Sequence, residues 1–145
     1  MTYLLLSLRR PYTALMLAGK KTLEIRKTAP REAKTVPADL RVLLYETRSA
    51  GGCGMVLGMV RCRAVHPVRG MDLQEVCARA CLTSAELYQY AAATGRSTAA
   101  LLAWEVAEPV TFPQPLPLTA FGVGCAPQSW RTLDPAAVNA ALAKK

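Results

Sequence analysis

Four residues near the start of the chain carry side chains whose types and spacing could do chemistry together. Gly19, Lys21, Glu24 and Arg26 spell the pattern G-x-K-x-x-E-x-R. A charged lysine grips phosphate, a lysine of depressed pKa acts as a base, and a guanidinium offers a planar fork to phosphate or carboxylate. The glutamate could orient the arginine or accept a hydrogen bond from the exocyclic amine of a base. The pattern is also compatible with a solvated face and an ion pair worth about 0–1 kcal/mol.

Two elements must position these side chains, a helix before the lysine and a strand after it. Pro11 suits the first turn of a helix, and Gly19 suits the position just past the helix end. Residues 22–27 alternate in polarity, with Leu23 and Ile25 on one face and the charged side chains on the other. The sequence therefore predicts a lysine in a turn beside a strand that presents both signs of charge.

The rest of the chain predicts short strands and helices without regular alternation. Strands are predicted at residues 3–8, 41–47, 55–65 (with a bulge at Gly58), 101–112 and the end of 121–133, and helices at 71–81 and 84–93. We expect a loop at residues 28–40, an extended linker at 113–118, and a short exposed helix that begins at Pro135 and ends in Lys144 and Lys145.

About six strands with three or four helices indicate an α+β fold, here a small mixed β-barrel with helices on its rim. Residues 1–134 would form this single domain, and residues 135–145 a basic C-terminal helix or tail. The chain shows no internal repeat and no second domain.

Positive charge is concentrated in the first third of the chain. The formal net charge is +8, and residues 1–48 hold ten Lys and Arg against four Asp and Glu. Such a segment suggests RNA, DNA or an anionic ligand as partner, although positive charge can also serve solubility alone. The N-terminal apolar run is too short for a signal peptide or a membrane span. We therefore expect a cytoplasmic protein that has no membrane partner, and we favour a monomer.

The composition limits the chemistry that any active site could use. The chain has five cysteines, an odd number, which argues against a framework of disulfides. We therefore predict that the cysteines are buried and reduced. The chain has no nucleotide-binding glycine motif and no metal-ligand pattern, so no cofactor and no metal are predicted. His66 is the single histidine, which excludes a ribonuclease with paired imidazoles. Catalysis would have to use Lys, a carboxylate, Thr, Ser or Tyr.

Several segments, taken in order, resemble the ASCH domain family of the PUA-like superfamily. They are "LSLRRPYTALMLAGKKTLEIRK", "GGCGMVLGMVRCRAV", "LLAWEVAEPVTF" and "APQSW". The resemblance implies a PUA-like β-barrel with a cleft beside the first helix. It also implies binding of RNA or nucleotides, and ribonuclease activity has been associated with such proteins. The phage- and bacteria-borne members that carry the closing motif suggest a prophage setting.

The resemblance gives the charged residues a shared role in binding nucleic acid. In this interpretation Lys21 and Arg26 meet the phosphate or base of RNA or of a modified nucleotide, and Glu24 orients them. Arg9 and Ser129 are candidates for the same cleft, Arg9 as a basic position and Ser129 as a hydroxyl donor. The other interpretations are an exposed residue at the helix entry for Arg9 and an ordinary turn serine for Ser129.

A hydrolase is the alternative, with Lys21 as base and Glu24 as its partner. One branch related to the family deacetylates N-acetylated cytidine with a lysine, a threonine and a glutamate. Lys21 matches that lysine, but Glu24 stands where the threonine is expected, Thr22 lies two residues away, and Glu75 is no more than a guess for the glutamate. These departures argue against the amidohydrolase. A protein-interaction module is a third alternative.

Aromatic residues are assigned mainly to packing. Tyr12 is predicted at the edge of the core, with stacking on a base as the alternative, and Trp104 and Trp130 are predicted to pack. Tyr45 is predicted to point into the cleft.

Overall fold

The computed structural model describes residues 2–30 and 40–143. Its helices and strands, in chain order, are β1 (Thr2–Leu8), α1 (Tyr12–Leu17), β2 (Leu23–Arg26), β3 (Leu40–Glu46), β4 (Met55–Pro67), α2 (Leu73–Ala80), α3 (Ser84–Ala93), β5 (Leu102–Leu116), β6 (Trp130–Leu133) and α4 (Pro135–Ala143). The strands form one curled sheet in the order β2-β5-β4-β3-β1-β6, in which only β1 and β3 pair in parallel. The predicted α+β fold is confirmed as a six-stranded half-barrel with four helices in the described residues.

The alternation of apolar side chains along the strands produces separate cores on the two faces of the sheet. Leu4, Leu6 and Leu8 point into the curl with Trp104, whereas Leu5 packs on the outer face with the residues of α4. Such a division follows from the two-residue period of a strand. A third cluster joins one face of β2 to α2 and α3, as the alternation of residues 22–27 predicts.

The helix signals in the sequence correspond to the observed helix ends. α1 is followed by Gly19 at φ 77°, a left-handed conformation that favours glycine. Asp72 caps α2 by accepting a hydrogen bond from the backbone N–H of Gln74. Thr83 and Glu86 form a reciprocal capping box at the start of α3.

Gly58 lies where the backbone of the sheet is most crowded. The pairing of β4 with β5 shifts register between Val56 and Gly58, which confirms the predicted irregularity. A Cβ atom at Gly58 would stand 2.3 Å from the carbonyl oxygen of Val110 and 2.8 Å from a methyl carbon of Leu17. Glycine therefore allows β4, β5 and α1 to approach closely at this point.

Two predicted segments differ from the structure. Residues 113–116 belong to β5 rather than to a linker, and Leu116 pairs with Val56. Prolines are tolerated there because β5 pairs with β2 only through residues 102–105 and keeps one side unpaired beyond them. α4 is not an exposed helix, since Val138 and Ala141 are buried against the outer face of the sheet.

Residues 31–39 of the predicted loop, and Lys144 and Lys145, lie outside the described residues. The division into a domain of residues 1–134 and a tail of 135–145 stays a prediction. No helix in the described part of the chain is long and apolar enough to cross a membrane.

The prediction that the cysteines are buried is wrong for Cys53 and Cys125, which are exposed. Both lie in glycine-containing turns at the surface, where a side chain finds no core to enter. Cys62 is buried, Cys77 and Cys81 are partly buried, and all five are free thiols.

Candidate functional site

The turn after α1 carries Lys21 into the protein. The backbone N–H groups of Lys20 and Lys21 both donate to the carbonyl oxygen of Leu15, at 3.0 and 3.1 Å, which folds the chain back over the helix end. Lys21 is consequently only 2% exposed. A buried ammonium is tolerated only where it is paired and hydrogen-bonded, so its partners define the site.

Three groups surround the Lys21 ammonium. Its Nζ atom donates to the carbonyl oxygen of Ala80 at 2.5 Å and lies 3.3 Å from Oε1 of Glu24. The same nitrogen stands 5.1 Å from the centroid of the Tyr12 ring, within cation–π range. The turn, β2, α1 and the end of α2 are thereby held together at one point.

Glu24 lies between two cations. Its Oε2 atom accepts from Nε of Arg26 at 2.7 Å and lies 2.6 Å from Nη2, while Oε1 faces Lys21. Burial by itself raises the pKa of Glu24, but the charges and hydrogen bonds of Arg26 and Lys21 outweigh it and lower the pKa below its ordinary value. Glu24 is therefore a carboxylate at neutral pH. We call Lys21, Glu24 and Arg26 the charged triad.

Arg26 closes the open side of the half-barrel. Its Nη2 donates to the carbonyl oxygen of Ser7 at 2.7 Å, and its Nη1 donates to the hydroxyl oxygen of Ser129 at 3.0 Å. Ser7 in turn donates from its backbone N–H to the Ser129 carbonyl oxygen, at 2.9 Å. β2 and β6 form opposite edges of the sheet, so the guanidinium joins the two ends. Four of its five N–H groups are used by these residues and Glu24.

A cleft of about 500 Å³ opens beside the charged triad. α1, β2 and the end of β1 form one side of it, and α3 faces them. Arg9 lines this cleft as predicted and is exposed. Ser129 does not line the cleft itself but accepts a hydrogen bond from Arg26, which does, and its neighbour Gln128 also lines the cleft. Four of the candidate residues, Arg9, Lys21, Glu24 and Arg26, thus line one cleft, and Ser129 is joined to it through Arg26.

Tyr12 packs at the edge of the core, as predicted, and also lines the cleft. Its ring packs against the inner core, and its hydroxyl lines the cleft and donates to Oε2 of Glu86 at 3.3 Å. Burial, followed by the charge of Glu86, raises the pKa of Tyr12 above its ordinary value. The hydroxyl is therefore protonated at neutral pH.

Both tryptophans hydrogen-bond to Thr28, which lies just after β2. The indole N–H of Trp104 donates to the carbonyl oxygen of Thr28 at 3.2 Å, and that of Trp130 donates to the Thr28 hydroxyl at 3.1 Å. The two rings meet edge to face with centroids 6.1 Å apart. They fix the chain just after β2. The prediction for Tyr45 is wrong, since it is buried in the outer-face cluster.

Several residues of the cleft were missed from the sequence, among them Glu86, Gln89, Tyr90 and Gln128. The first three lie at positions i, i+3 and i+4 of α3 and so share one face. Polar and aromatic side chains on one face of an otherwise alanine-rich helix are the signal that was available. Burial raises the pKa of Tyr90, so this residue also presents a neutral ring to the cleft.

The described residues contain no group of three His, Cys, Asp or Glu side chains that could hold a metal ion. Neither the threonine nor the glutamate considered for an amidohydrolase lines the cleft. Thr22 accepts a hydrogen bond from Nε of Arg79 at 3.0 Å, and Glu75 is exposed on α2.

Comparison with solved structures shows the same fold in other proteins. The ASCH protein from Zymomonas mobilis superposes with a TM-score of 0.75 at 20% identity, over 98% of this chain and 94% of that one. A substitution variant of that protein gives 0.74 at 20% identity, over 99% of each chain. The N-terminal domain of Staphylothermus marinus McrB gives 0.59 at 13% identity, over 99% of this chain and 94% of that one.

No curated protein matches the sequence. At these identities the structural likeness establishes the fold alone. A family model provides the stronger statement, because the model described as "ASCH domain" matches residues 6–115, which contain the whole charged triad. The chain therefore belongs to the ASCH domain family.

Proposed function

We propose that the cleft binds single-stranded RNA or a nucleotide, with a base held between tyrosine rings and a phosphate held by basic side chains. The observation that carries this proposal is the joint presence of Tyr12, Tyr90, Arg9 and Lys21 around one cleft of about 500 Å³. Ligand pockets are commonly about 300–1,000 Å³, which accommodates a nucleotide. Recognition of RNA by proteins relies on splayed bases stacked on aromatic rings and on cationic contacts to the backbone.

The charges around the cleft favour an anion. Glu24 is fully engaged by Lys21 and Arg26, and Glu86 is engaged by Tyr12 and by the backbone N–H of Thr83. Arg9 makes no ion pair within the described residues and is exposed at the rim. We infer that Arg9 is the main phosphate contact, and that Lys21 contributes its charge from below.

Arg26 has a different role in this proposal from the one its sequence suggests. Because its N–H groups hold Glu24, Ser7 and Ser129, only one of them is left for a ligand. It therefore positions the wall of the cleft, and Glu24 keeps both cations in place.

Two glutamine amides provide groups that could read the edge of a base. Gln89 and Gln128 line the cleft, are exposed, and have no hydrogen-bond partner in the described parts of the chain. An amide presents a donor and an acceptor side by side, which suits the edge of a base. We propose that these two glutamines determine which base the cleft prefers.

The proposal is tested by titrating the protein into a fluorescently labelled single-stranded RNA of about ten nucleotides and following anisotropy. Binding should weaken as salt rises, and Arg9→Gln should reduce the log-log slope by about 0.7, the value for one phosphate contact on a single strand. Tyr90→Leu should weaken binding by about 1–3 kcal/mol through loss of stacking. Arg69→Gln is the matched control, because Arg69 is exposed and lines neither the cleft nor its surroundings. Salt-independent binding, or equal effects of Arg9→Gln and Arg69→Gln, would exclude this assignment.

A hydrolase remains the second candidate, favoured by the buried Lys21–Glu24 pair that faces the cleft. In the structure Lys21 acts as a donor to Ala80 and Glu24, whereas a base must accept a proton, so the geometry supports binding better than catalysis. Incubation with RNA and with N-acetylated cytidine, followed by chromatography, distinguishes the two. Turnover without added metal that Lys21→Met abolishes would establish the hydrolase.

A further inference from the structure

A second cavity, of about 470 Å³, lies on the other side of the turn formed by residues 19–22. Its walls come from that turn, from Arg63 of β4, from Arg79 at the end of α2, and from residues 105–109 of β5. Lys21 lines both this cavity and the cleft, so the turn is the wall between them. A ligand that leaves the cleft across the turn would enter the second cavity.

Arg79 is fixed with its guanidinium at this cavity. Its Nε donates to the hydroxyl oxygen of Thr22 at 3.0 Å, and its carbonyl oxygen accepts from the backbone N–H of Thr22 at 2.8 Å. The two terminal NH₂ groups of Arg79 make no hydrogen bond within residues 2–30 and 40–143. The guanidinium is thus held in place through Nε, while its two terminal nitrogens remain available. An arginine in this arrangement can bind an oxyanion through two hydrogen bonds.

The two carboxylates near the cavity each have another partner, the guanidinium of Arg61 for one and the imidazole of His66 for the other. Glu108 lies 3.1 Å from Nη1 of Arg61, and Glu105 lies 3.0 Å from Nε2 of His66. Arg63 is exposed and has no ion pair with any described residue. Arg63 and Arg79 therefore give the cavity two guanidinium groups, and neither forms an ion pair with these carboxylates.

We propose that the second cavity binds a backbone phosphate of the same RNA strand whose base occupies the cleft. This inference rests on the proposed function and extends it, since it makes the ligand a strand of at least two nucleotides that crosses the turn of residues 19–22. Arg79 provides the fixed fork, and Arg63 provides a mobile second contact on a long side chain. A free mononucleotide fills the cleft alone and gains nothing from the second cavity.

The test compares two probes, the labelled RNA of about ten nucleotides and a labelled nucleoside monophosphate. Arg63→Gln and Arg79→Gln should each reduce the salt slope for the RNA, and the double variant should reduce it by about 0.7 in all, the value for one phosphate contact. Binding of the monophosphate should stay at the wild-type level. Arg63 is exposed, so Arg63→Gln keeps the test valid if Arg79→Gln disturbs folding, and Arg69→Gln again controls for lost charge.

Each remaining outcome overturns the inference in a recognisable way. If the wild type binds RNA and Arg9→Gln weakens it, but neither variant of the second cavity changes the slope, the second cavity is not a phosphate site and the proposed function stands. If the variants weaken the monophosphate as much as the RNA, the two cavities form one mononucleotide site. If the wild type binds no RNA, the proposed function fails and this inference falls with it.

Discussion

Replacing Glu24 with glutamine removes the negative charge that lies between two cations inside the protein. The carboxylate has an exposed fraction of 7%, Lys21 is 2% exposed, and Arg26 is 14% exposed. Glutamine keeps the size of the side chain but can neutralise neither partner. Lys21 would then hold a buried ammonium that has neutral hydrogen-bond acceptors, such as the carbonyl oxygen of Ala80, but no counter-charge.

The size of this effect follows from the burial of the pair. Removing one partner of a buried ion pair costs about 3–5 kcal/mol, because the other charge stays buried without compensation. A chain of this length loses about 3–4 °C in Tm per kcal/mol, so we expect the Glu24→Gln variant to melt roughly 9–20 °C below the wild type. Urea unfolding followed by circular dichroism gives the free energy, and a thermal scan gives the Tm.

Glu108→Gln is the matched control. Glu108 forms an ion pair of similar length, 3.1 Å to Arg61, but its side chain is 60% exposed and that of Arg61 is 36% exposed. The same substitution should therefore cost about 1 kcal/mol or less. If Glu24→Gln and Glu108→Gln differ by less than about 1 kcal/mol, the reasoning from burial is refuted. In a double-mutant cycle, Lys21→Met should recover about 0.5–3 kcal/mol of the Glu24→Gln loss, since methionine removes the unpaired charge.

Three further outcomes are expected. The pKa of Glu24 in the folded protein lies below its ordinary value of 4.5. The stability that this carboxylate contributes is therefore present above the unfolded pKa and is lost as pH falls through the folded pKa. Below pH 4.5, the free energy of unfolding should fall more steeply with pH in the wild type than in Glu24→Gln. Arg26→Lys keeps the charge but lacks the planar fork that hydrogen-bonds to Glu24 and Ser129 at the same time. We therefore expect faster amide hydrogen exchange in β1 and β6. Unchanged exchange would argue against the closure of the half-barrel by Arg26. Burial raises the pKa of the Cys62 thiol to about 11, so alkylation of the native protein followed by peptide mass mapping should label exposed Cys125 and leave Cys62 protected until unfolding.

The sequence predicted the local features of the site because local spacing determines them. The left-handed glycine after α1 and the face shared by Glu24 and Arg26 both follow from the conformational preferences of single residues and the period of a strand. The same is true of the capping box at Thr83. These features depend on neighbours within a few residues. Local patterns of the same kind indicate which residues enter the core and where most of the helices and strands lie.

Features that depend on distant parts of the chain could not be predicted in the same way. The bonds from Arg26 to Ser7 and Ser129 depend on how far the sheet curls, which no spacing encodes. Residues 113–116 were taken for a linker because their prolines are rare in strands, yet a strand with one unpaired side tolerates them. Tyr90 lies on a helix far from the motif in sequence, and only the packing of α3 beside β2 brings it to the cleft.

The closure by Arg26 has a consequence for the order in which the cleft takes shape during synthesis. Ser129 follows Arg26 by 103 residues, so the wall of the cleft is completed only after that length of chain has been made. A growing polypeptide that already displays Lys21 and Arg26 has the charges of the site without its shape. Partly made chains are therefore expected to lack the fixed geometry that the cleft has in the folded protein, which is complete only once β6 has joined the sheet.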